Sequence, residues 1–308
     1  MGSFLKLHTI LRCLLLTEAI LYASLGFVLS ERGNGYGAIA VIVLSIALVW
    51  RLSHALGTFV LAAGLRWRDG RTLPWGSSLA ALTDEFAARF VCFNWSQAFP
   101  GVAVRPDPSG ARDGPPILLV HGYLCNRGVW TSLSRRLAEA GLGPIYTITF
   151  DPMFGSVDRL VSKLDTRIEA ICHETGAAKI MVVAHSMGGL VARAYRVQTP
   201  GQSRIERMVT LGTPHHGTQV ARWGIGINAR QMRERCEWIK TLAAREAMKW
   251  PNENPPETLS IYTLNDDVVY PPESCALDWA GNMPVSAVGH MGLVFSESVA
   301  KRVIQHLR

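Results

Sequence analysis

Two long apolar stretches at the start of the chain differ from everything that follows. The first covers residues 14–30 and contains Glu18, and the second runs over residues 37–50 and resumes after Arg51 and His54. A helix that crosses a bilayer needs about 20 mostly apolar residues, and both stretches reach that length if one or two polar residues are tolerated. The pattern predicts two transmembrane helices. A cleaved signal peptide is disfavoured because the second stretch would still stop transfer, and a hairpin buried in a protein core is the remaining alternative.

Lysine and arginine flank these stretches unequally. Lys6 and Arg12 precede the first stretch and three arginines within residues 66–71 follow the second, whereas the loop between them carries only Arg32. Positive residues favour the cytoplasmic side of a membrane. We therefore expect residues 1–70 to be a multi-pass anchor in the inner or plasma membrane, with the rest of the chain in the cytoplasm.

A helical repeat of apolar residues follows within residues 76–99. The repeating positions are Leu79, Leu82, Phe86, Phe90 and Phe93. Their spacing predicts an amphipathic helix, which either lies on the membrane surface or packs on the next domain; packing is the favoured interpretation. Proline and glycine over residues 105–116 then predict a connector, so residues 71–115 are assigned as amphipathic helix and linker.

From residue 116 to 308, short apolar runs alternate with helical patterns. The runs are Ile117–Val120, Ile145–Phe150, Ile180–Ala184, Met208–Leu211, Leu259–Leu264 and Pro284–Val288. Continuous apolar runs are typical of strands that are buried on both faces of a parallel sheet. Alternation with helices predicts a doubly wound α/β fold, in which ligands bind at the carboxyl ends of the strands.

Ser186 lies in such a place, in the stretch KIMVVAHSMGGLVARAY. A strand precedes this serine and a helix follows it, as in the G-x-S-x-G nucleophile elbow of α/β-hydrolases. Ala184 replaces the first glycine of that pattern, but alanine is small enough for a tight turn, and Gly188 keeps the second glycine. The alternative is a serine that only caps a helix.

A catalytic serine needs a base and an orienting carboxylate, which follow it in the order acid, then histidine, in this fold. Asp266 comes directly after one predicted strand and His290 after another. Asp267 and, more distantly, Asp278 are alternative acids. The histidines that adjoin turns or precede the acid are disfavoured as the base: His121, His185, His215 and His216.

The transition state of acyl transfer places negative charge on a carbonyl oxygen, which two backbone N–H groups should face. One is expected from Met187, at the start of the helix that follows the nucleophile. The other is expected from the loop after the first strand. The amide of Tyr123 is the favoured donor, with Leu124 as the alternative.

The stretches VHGYLCN, AHSMGG, TLGTPHHGT and GHMGLVFS together resemble bacterial triacylglycerol lipases and related esterases of the α/β-hydrolase fold, over residues 116–308. This resemblance implies Ser186 as nucleophile, Asp266 as acid and His290 as base, with Tyr123 and Met187 as oxyanion donors. It implies no cofactor. Some of these lipases hold a structural calcium ion, whose ligands the sequence does not reveal. The predicted membrane hairpin departs from the secreted lipases.

The segment 217–255 interrupts the strand pattern and is basic and rich in tryptophan and methionine, with Met232, Cys236, Ile239 and Ala243 on one predicted helical face. It is interpreted either as a lid or as a permanently packed helix. None of the six cysteines forms a CxxC pair, which argues against a metal cluster. Five of them lie scattered outside the N-terminal apolar stretch, and this odd number favours a reducing compartment over a disulfide framework. The formal net charge is +7, but no nucleic-acid motif accompanies it.

The combined pattern predicts a membrane-anchored serine hydrolase that cleaves carboxylic esters of lipids through an acyl-enzyme. The expected partners are a lipid or ester substrate and the membrane, without nucleic acid. An acyltransferase or thioesterase with the same three residues is the nearest alternative, and a non-catalytic membrane scaffold is the alternative from another class.

Overall fold

A parallel sheet of six strands forms the centre of the protein in this computed structural model. Residues 6–105, 107–108, 114–198, 204–249 and 255–308 are described. The strands are β1 Ile117–Val120, β2 Ile145–Thr147, β3 Ile180–His185, β4 Ile205–Leu211, β5 Glu257–Thr263 and β6 Gly281–Val285. Their order is β2-β1-β3-β4-β5-β6, and every neighbouring pair is parallel. The predicted parallel α/β fold is confirmed, although β2 ends earlier and β6 lies earlier in the chain than expected.

Helices cover both faces of the sheet and precede it. In the described part of the chain they are α1 Leu7–Glu31, α2 Tyr36–Arg68, α3 Trp75–Val91, α4 Pro100–Ala103, α5 Thr131–Glu139, α6 Val157–Thr175, α7 Met187–Gln198, α8 Ile227–Gln231, α9 Glu237–Lys249, α10 Gly292–Phe295 and α11 Glu297–Leu307. A single π-helical turn, Cys92–Ser96, continues α3. Part of the predicted connector, at residue 106 and residues 109–113, lies outside the described residues.

The core lies on both faces of the central strands. Every residue of β1 and β3 is buried, which is why these strands are apolar without alternation. The apolar side of α6 packs against one face together with α7, and α5 and α11 pack against the other. The Ser156 side chain caps the start of α6, and Gly176, with a φ of 72°, ends it in the left-handed conformation that favours glycine.

The first two helices form an apolar hairpin that stands largely apart from this core. Both α1 and α2 have the length and composition of membrane-crossing helices, and few of their most apolar residues are buried inside the protein. Glu18 and Arg51 pair across the hairpin, and the Trp50 indole donates to the same carboxylate at 3.0 Å. The polar residues that interrupt the two apolar stretches therefore satisfy each other.

The second half of α2 packs on the sheet domain. Ala55, Phe59, Ala62 and Leu65 form a buried stripe at helical spacing. α2 is therefore shared between the apolar hairpin and the sheet domain.

The expected helix at residues 76–99 exists as α3, but its most buried side is not the one that the apolar repeat predicts. Leu79 and Phe90 are exposed, whereas Ala81, Glu85 and Ala88 are buried. Leu82, Phe86 and Phe93 of the same repeat are half-buried, and Phe93 packs against the core. Only part of the apolar repeat therefore faces outward, and the most buried side of α3 binds polar backbone groups of a loop near the end of the chain.

The predicted lid segment contains α8 and α9, and α9 is firmly packed. Arg193 of α7 forms a buried two-bond ion pair with Glu246 of α9, at 2.9 and 2.5 Å. Ile239 is buried as expected, but Ala243 is exposed and Leu242 takes the inward position. The end of this segment, residues 250–254, lies outside the described residues.

Candidate active site

Ser186 occupies a sharp turn between β3 and α7. Its φ is 53°, a left-handed conformation that is uncommon for a residue other than glycine and that occurs at strained functional turns. Its N–H donates to the Leu211 carbonyl at 2.8 Å, and its own carbonyl accepts from Gly189 at 3.0 Å. The turn thus has the strand–turn–helix form of a nucleophile elbow.

Small residues around Ser186 are required by close backbone approaches. A Cβ on Gly188 would overlap the Val120 and His121 carbonyl oxygens, and a Cβ on Gly122 would lie 2.8 Å from the Ser186 Cβ. Ala184, in contrast, is a fully buried strand residue paired in register with Val120 and Thr210. The sheet therefore accepts a methyl group where the elbow pattern has its first glycine.

His290 and Asp266 are brought together at the carboxyl ends of β5 and β6. The imidazole Nδ1 lies 2.9 Å from Asp266 Oδ2. The other oxygen, Oδ1, accepts from the N–H groups of Val268 at 2.8 Å and Val269 at 2.6 Å. These bonds fix the carboxylate, so the imidazole carries its proton on Nδ1 and leaves Nε2 as the basic nitrogen.

The end of β4 adjoins both Ser186 and His290. Leu211 accepts the Ser186 N–H, and a Cβ on the next residue, Gly212, would lie 3.1 Å from His290 Nδ1. The His185 ring, next to Ser186 in sequence, lies 4.8 Å from the His290 ring between centroids. Among the described residues, however, Ser186 Oγ and His290 make no direct hydrogen bond, and apo active sites often have looser geometry than their substrate complexes.

The charge environment favours a protonatable His290. Burial lowers its pKa, but the Asp266 carboxylate and the more distant Glu85 and Asp267 outweigh that effect, so the pKa lies above its usual 6.5. Burial instead lowers the pKa of His121 to about 4 and that of His185 well below 6.5. Of these three histidines, only His290 is therefore suited to gain a proton near neutral pH.

The two predicted oxyanion donors lie near Ser186: Met187 follows it directly, and Tyr123 follows Gly122, on which a Cβ would lie 2.8 Å from the Ser186 Cβ. The N–H groups of Tyr123 and Met187 make no hydrogen bond to any residue in the described part of the chain. His121 supports this loop: its Nε2 accepts from the Phe150 N–H at 3.0 Å, so its Nδ1 carries the proton and donates to the Gly122 carbonyl at 2.9 Å. Leu124, the alternative donor, adopts a φ of 52°.

Tyr123 also connects this loop to the predicted lid segment. Its hydroxyl donates to the Ile225 carbonyl at 2.8 Å and accepts from the Ile225 N–H at 3.1 Å. Ile225 and its neighbour Trp223 are exposed, as is Phe154, whose ring lies 6.1 Å from that of Tyr123. Exposed apolar side chains therefore lie beside the Tyr123 loop.

Sequence reasoning missed Glu85 of α3, which holds the loop that carries His290. Its Oε2 accepts from the N–H groups of Met291 at 2.6 Å and Gly292 at 3.1 Å, and Asp84 accepts from Gly289 at 3.0 Å. Burial and the nearby Asp267 raise the pKa of Glu85 to about 7, against the opposing effect of Arg89 and His290. The only sequence signal was a pair of acids inside an otherwise apolar helical repeat.

Asp267 has a different role from its neighbour Asp266. Its Oδ2 accepts from the Arg89 guanidinium at 2.6 Å and from the Thr58 hydroxyl of α2 at 2.5 Å. Arg89 also binds Glu85 at 2.6 Å. Asp267 thus belongs to a buried network that joins α2 and α3 to the strand end, rather than to the imidazole.

The other candidates lie away from this arrangement. His215 is buried between Thr210 at 3.1 Å and Arg193 at 3.3 Å. His216 contacts the Ala276 carbonyl at 3.0 Å, and Asp278 is exposed.

Access to the serine is restricted in this conformation. Ser186 is 5% exposed and His290 3% exposed. A cavity of about 1060 Å³ lies elsewhere, beside β2 and α5, and Arg105, Arg135 and Phe295 line it. None of the three candidate catalytic residues lines this cavity.

Residues 157–280 match the family described as PGAP1-like alpha/beta domain, a range that includes Ser186 and Asp266 and ends before His290. The (lyso)-N-acylphosphatidylethanolamine lipases of Bos taurus and Homo sapiens are 27% and 26% identical to this chain over 180 residues. That region is 54% of this chain and 47% of each relative. The chain thus spans about half the length of the curated relatives it matches.

Solved structures agree on the fold. The mature form of Bacillus licheniformis lipase BlEst2 is similar with a TM-score of 0.57 at 18% identity, over 65% of this chain and 96% of that one. Aspergillus fumigatus lipase B gives a TM-score of 0.53 at 16% identity, over 62% of this chain and 52% of that one. The chain has the α/β-hydrolase fold and is distantly similar in sequence to lipases.

Proposed function

We propose that this protein is a membrane-anchored serine hydrolase that cleaves carboxylic esters of lipids. The observation that carries the proposal is the 2.9 Å bond between His290 and Asp266, beside the Ser186 turn at the carboxyl edge of the sheet. In this mechanism Ser186 Oγ attacks the ester carbonyl carbon while His290 Nε2 accepts its proton. Asp266 keeps the imidazole in the required tautomer and stabilises the cation that forms.

The negative oxygen of the tetrahedral intermediate would be bound by the N–H groups of Tyr123 and Met187. Because the backbone already holds these donors in place, they need no reorganisation during the reaction. The His290 proton passes to the departing alcohol, which leaves an acyl group on Ser186. Water, activated by the same imidazole, attacks this acyl-enzyme and releases the carboxylic acid. The residues require no cofactor for these steps.

Two features support a lipid ester as substrate. The curated relatives are named as lipases of (lyso)-N-acylphosphatidylethanolamine, and exposed apolar side chains lie beside the Tyr123 loop. The apolar hairpin of α1 and α2 supports anchoring in a bilayer, where such substrates reside. The flanking positive charges favour a cytoplasmic catalytic domain.

The test is labelling by a fluorophosphonate and hydrolysis of p-nitrophenyl esters from short to long acyl chains, with the detergent-solubilised full chain. Ser186→Ala should abolish labelling and lower kcat/KM by several orders of magnitude. Ser162→Ala, an exposed serine on α6, is the matched control and should retain both. Labelling that persists in the Ser186 variant would move the nucleophile elsewhere, and absence of labelling in the unmodified protein would favour a non-catalytic scaffold.

A further inference from the structure

The two apolar helices fix how deeply the protein can enter a bilayer. The hydrocarbon core is about 30 Å thick and a helix rises 1.5 Å per residue, so about 20 residues cross it. Counted from the tip of the hairpin, 20 residues of α2 end at Ala55, and 20 residues of α1 counted back from Glu31 end at Arg12. Each helix therefore gives an independent position for the membrane boundary.

Arg12 and the turn of α2 just before Ala55 both contact the same short segment, Phe90–Phe99, which we call the collar. The Arg12 guanidinium donates to the Ala98 carbonyl at 2.7 Å and lies 5.0 Å from the Phe99 ring centroid. On α2, Arg51 donates to the Asn94 side chain at 2.9 Å. The two helices thus place the boundary at one level of the molecule, although neither helix was used to locate the other.

The collar has the side chains that suit a membrane–water interface. Phe90 is 50% exposed and Trp95 is 52% exposed, and the Trp95 ring packs 5.3 Å from that of Phe99. Tryptophan, such as Trp95, is enriched where the hydrocarbon meets the headgroups, whereas phenylalanine contributes apolar surface. Arginine keeps its charge in the polar layer while its stem covers apolar surface. The continuity of these side chains with the apolar hairpin favours lipid over any other occupant.

We propose that the collar lies in the bilayer interface and sets the depth of the catalytic domain, an inference that rests on the membrane anchoring proposed above. Phe90 contacts lipid on the outward side of α3, next to Arg89, which binds inward to Glu85 and Asp267. The surface of the bilayer therefore lies about one helical turn along α3 from Glu85, whose carboxylate holds the His290 loop.

The test uses nitroxide labels on the full chain in vesicles of phosphatidylcholine and phosphatidylglycerol, with the exposed Cys13 and the half-buried Cys236 replaced by serine. Labels are placed at Leu44→Cys near the middle of the bilayer-crossing part of α2, at Phe90→Cys in the collar and at Leu79→Cys near the start of α3. Leu79 is 63% exposed and apolar like Phe90, but lies about 16 Å further along α3 at 1.5 Å per residue, so it is the matched control. Electron paramagnetic resonance then measures the accessibility of each label to oxygen, which is enriched in lipid, and to a water-soluble nickel chelate.

The expected order of the oxygen-to-nickel accessibility ratio is Leu44 highest, Phe90 intermediate and Leu79 lowest. If Phe90 matches Leu79 while Leu44 remains in lipid, the collar inference fails and the anchoring stands. If the Phe90 label is shielded from both reagents, a protein partner or a second copy covers the collar and the inference also fails. If Leu44 itself is in water, the anchoring proposal fails with it. Circular dichroism of each labelled chain verifies that it is folded.

Discussion

The turn at Ser186 and the loop at His290 are held in different ways. Ser186 is fixed by its own strand and helix and by the adjacent β4, because its N–H and carbonyl bind Leu211 and Gly189. The His290 loop is also fixed from much farther away in sequence, because its bonds to Glu85 span 206 and 207 residues. The Ser186 turn is thus held by elements of the sheet domain itself, whereas the His290 loop also depends on α3, a helix that precedes the sheet.

This difference changes the role of the N-terminal region. Through Thr58 and Arg89, α2 and α3 bind Asp267, and through Glu85, α3 binds the His290 loop. The helices that lead from the apolar hairpin are therefore structural parts of the candidate site. Substitutions at the Ser186 turn and at the residues that hold the His290 loop should therefore have different effects on activity and stability.

The largest contrast is expected between the adjacent acids. Asp266→Asn should lower kcat by about 10⁴-fold, because the amide would no longer orient the required tautomer or stabilise the imidazolium. Asp267→Asn should mainly lower the free energy of unfolding. Breaking a buried ion pair typically costs ~3–5 kcal/mol, and this is an upper limit here because Arg89 keeps Glu85 as a partner. Kinetics on a short ester and denaturation of both variants measure this contrast, and equal rate losses would contradict the assignment of Asp266.

At the elbow, the two small positions should respond oppositely. Gly188→Ala places a methyl group against the Val120 carbonyl oxygen, so the turn must shift and we expect loss of fluorophosphonate labelling or of folding. Ala184→Gly restores the usual pattern and should cost only about 0.5–1 kcal/mol, because glycine is less favourable within a strand. Tolerance of Gly188→Ala with full activity would show that the turn is not held as tightly as these contacts indicate.

For the His290 loop, Glu85→Ala removes the acceptor of two buried N–H groups. Leaving buried donors without a partner costs about 1–3 kcal/mol, and kcat should fall because the imidazole loses its support. The exposed Thr83 on the same helix provides the control variant Thr83→Ala. Thermal unfolding and kcat are measured together; a stability loss with unchanged kcat would make Glu85 a support of the fold alone.

The smallest expected effect is a shift in pH dependence. His290 acts as a base only when neutral, and its pKa lies above 6.5, so kcat/KM should fall as pH falls through that raised pKa. Asp267 is one of the carboxylates that raise it, and Asp267→Asn should therefore move this fall to lower pH. A profile of kcat/KM against pH for both proteins measures the shift, and a move to higher pH would contradict this account.

Sequence alone was sufficient to predict the parallel sheet and the turn around Ser186. Continuous apolar runs such as Ile180–Ala184 predicted buried parallel strands, because a strand covered on both faces has no polar side. The small residues around Ser186 predicted the turn for an equally local reason. The residue pair Asp266 and His290 followed from the order of groups at strand ends, and the structure places these two side chains in contact.

Only the tertiary structure decided what α3 does. Its apolar repeat at Leu79, Leu82, Phe86, Phe90 and Phe93 predicted an amphipathic helix with a packing face. Leu79 and Phe90 are exposed and the other three are half-buried, whereas Glu85 is fully buried. Helical periodicity measures how apolar residues are arranged around one axis, but it does not identify the neighbour on either side. The inward neighbour is a loop some 200 residues later in the chain. Its N–H groups bind no backbone carbonyl, so they favour a carboxylate over an apolar side chain.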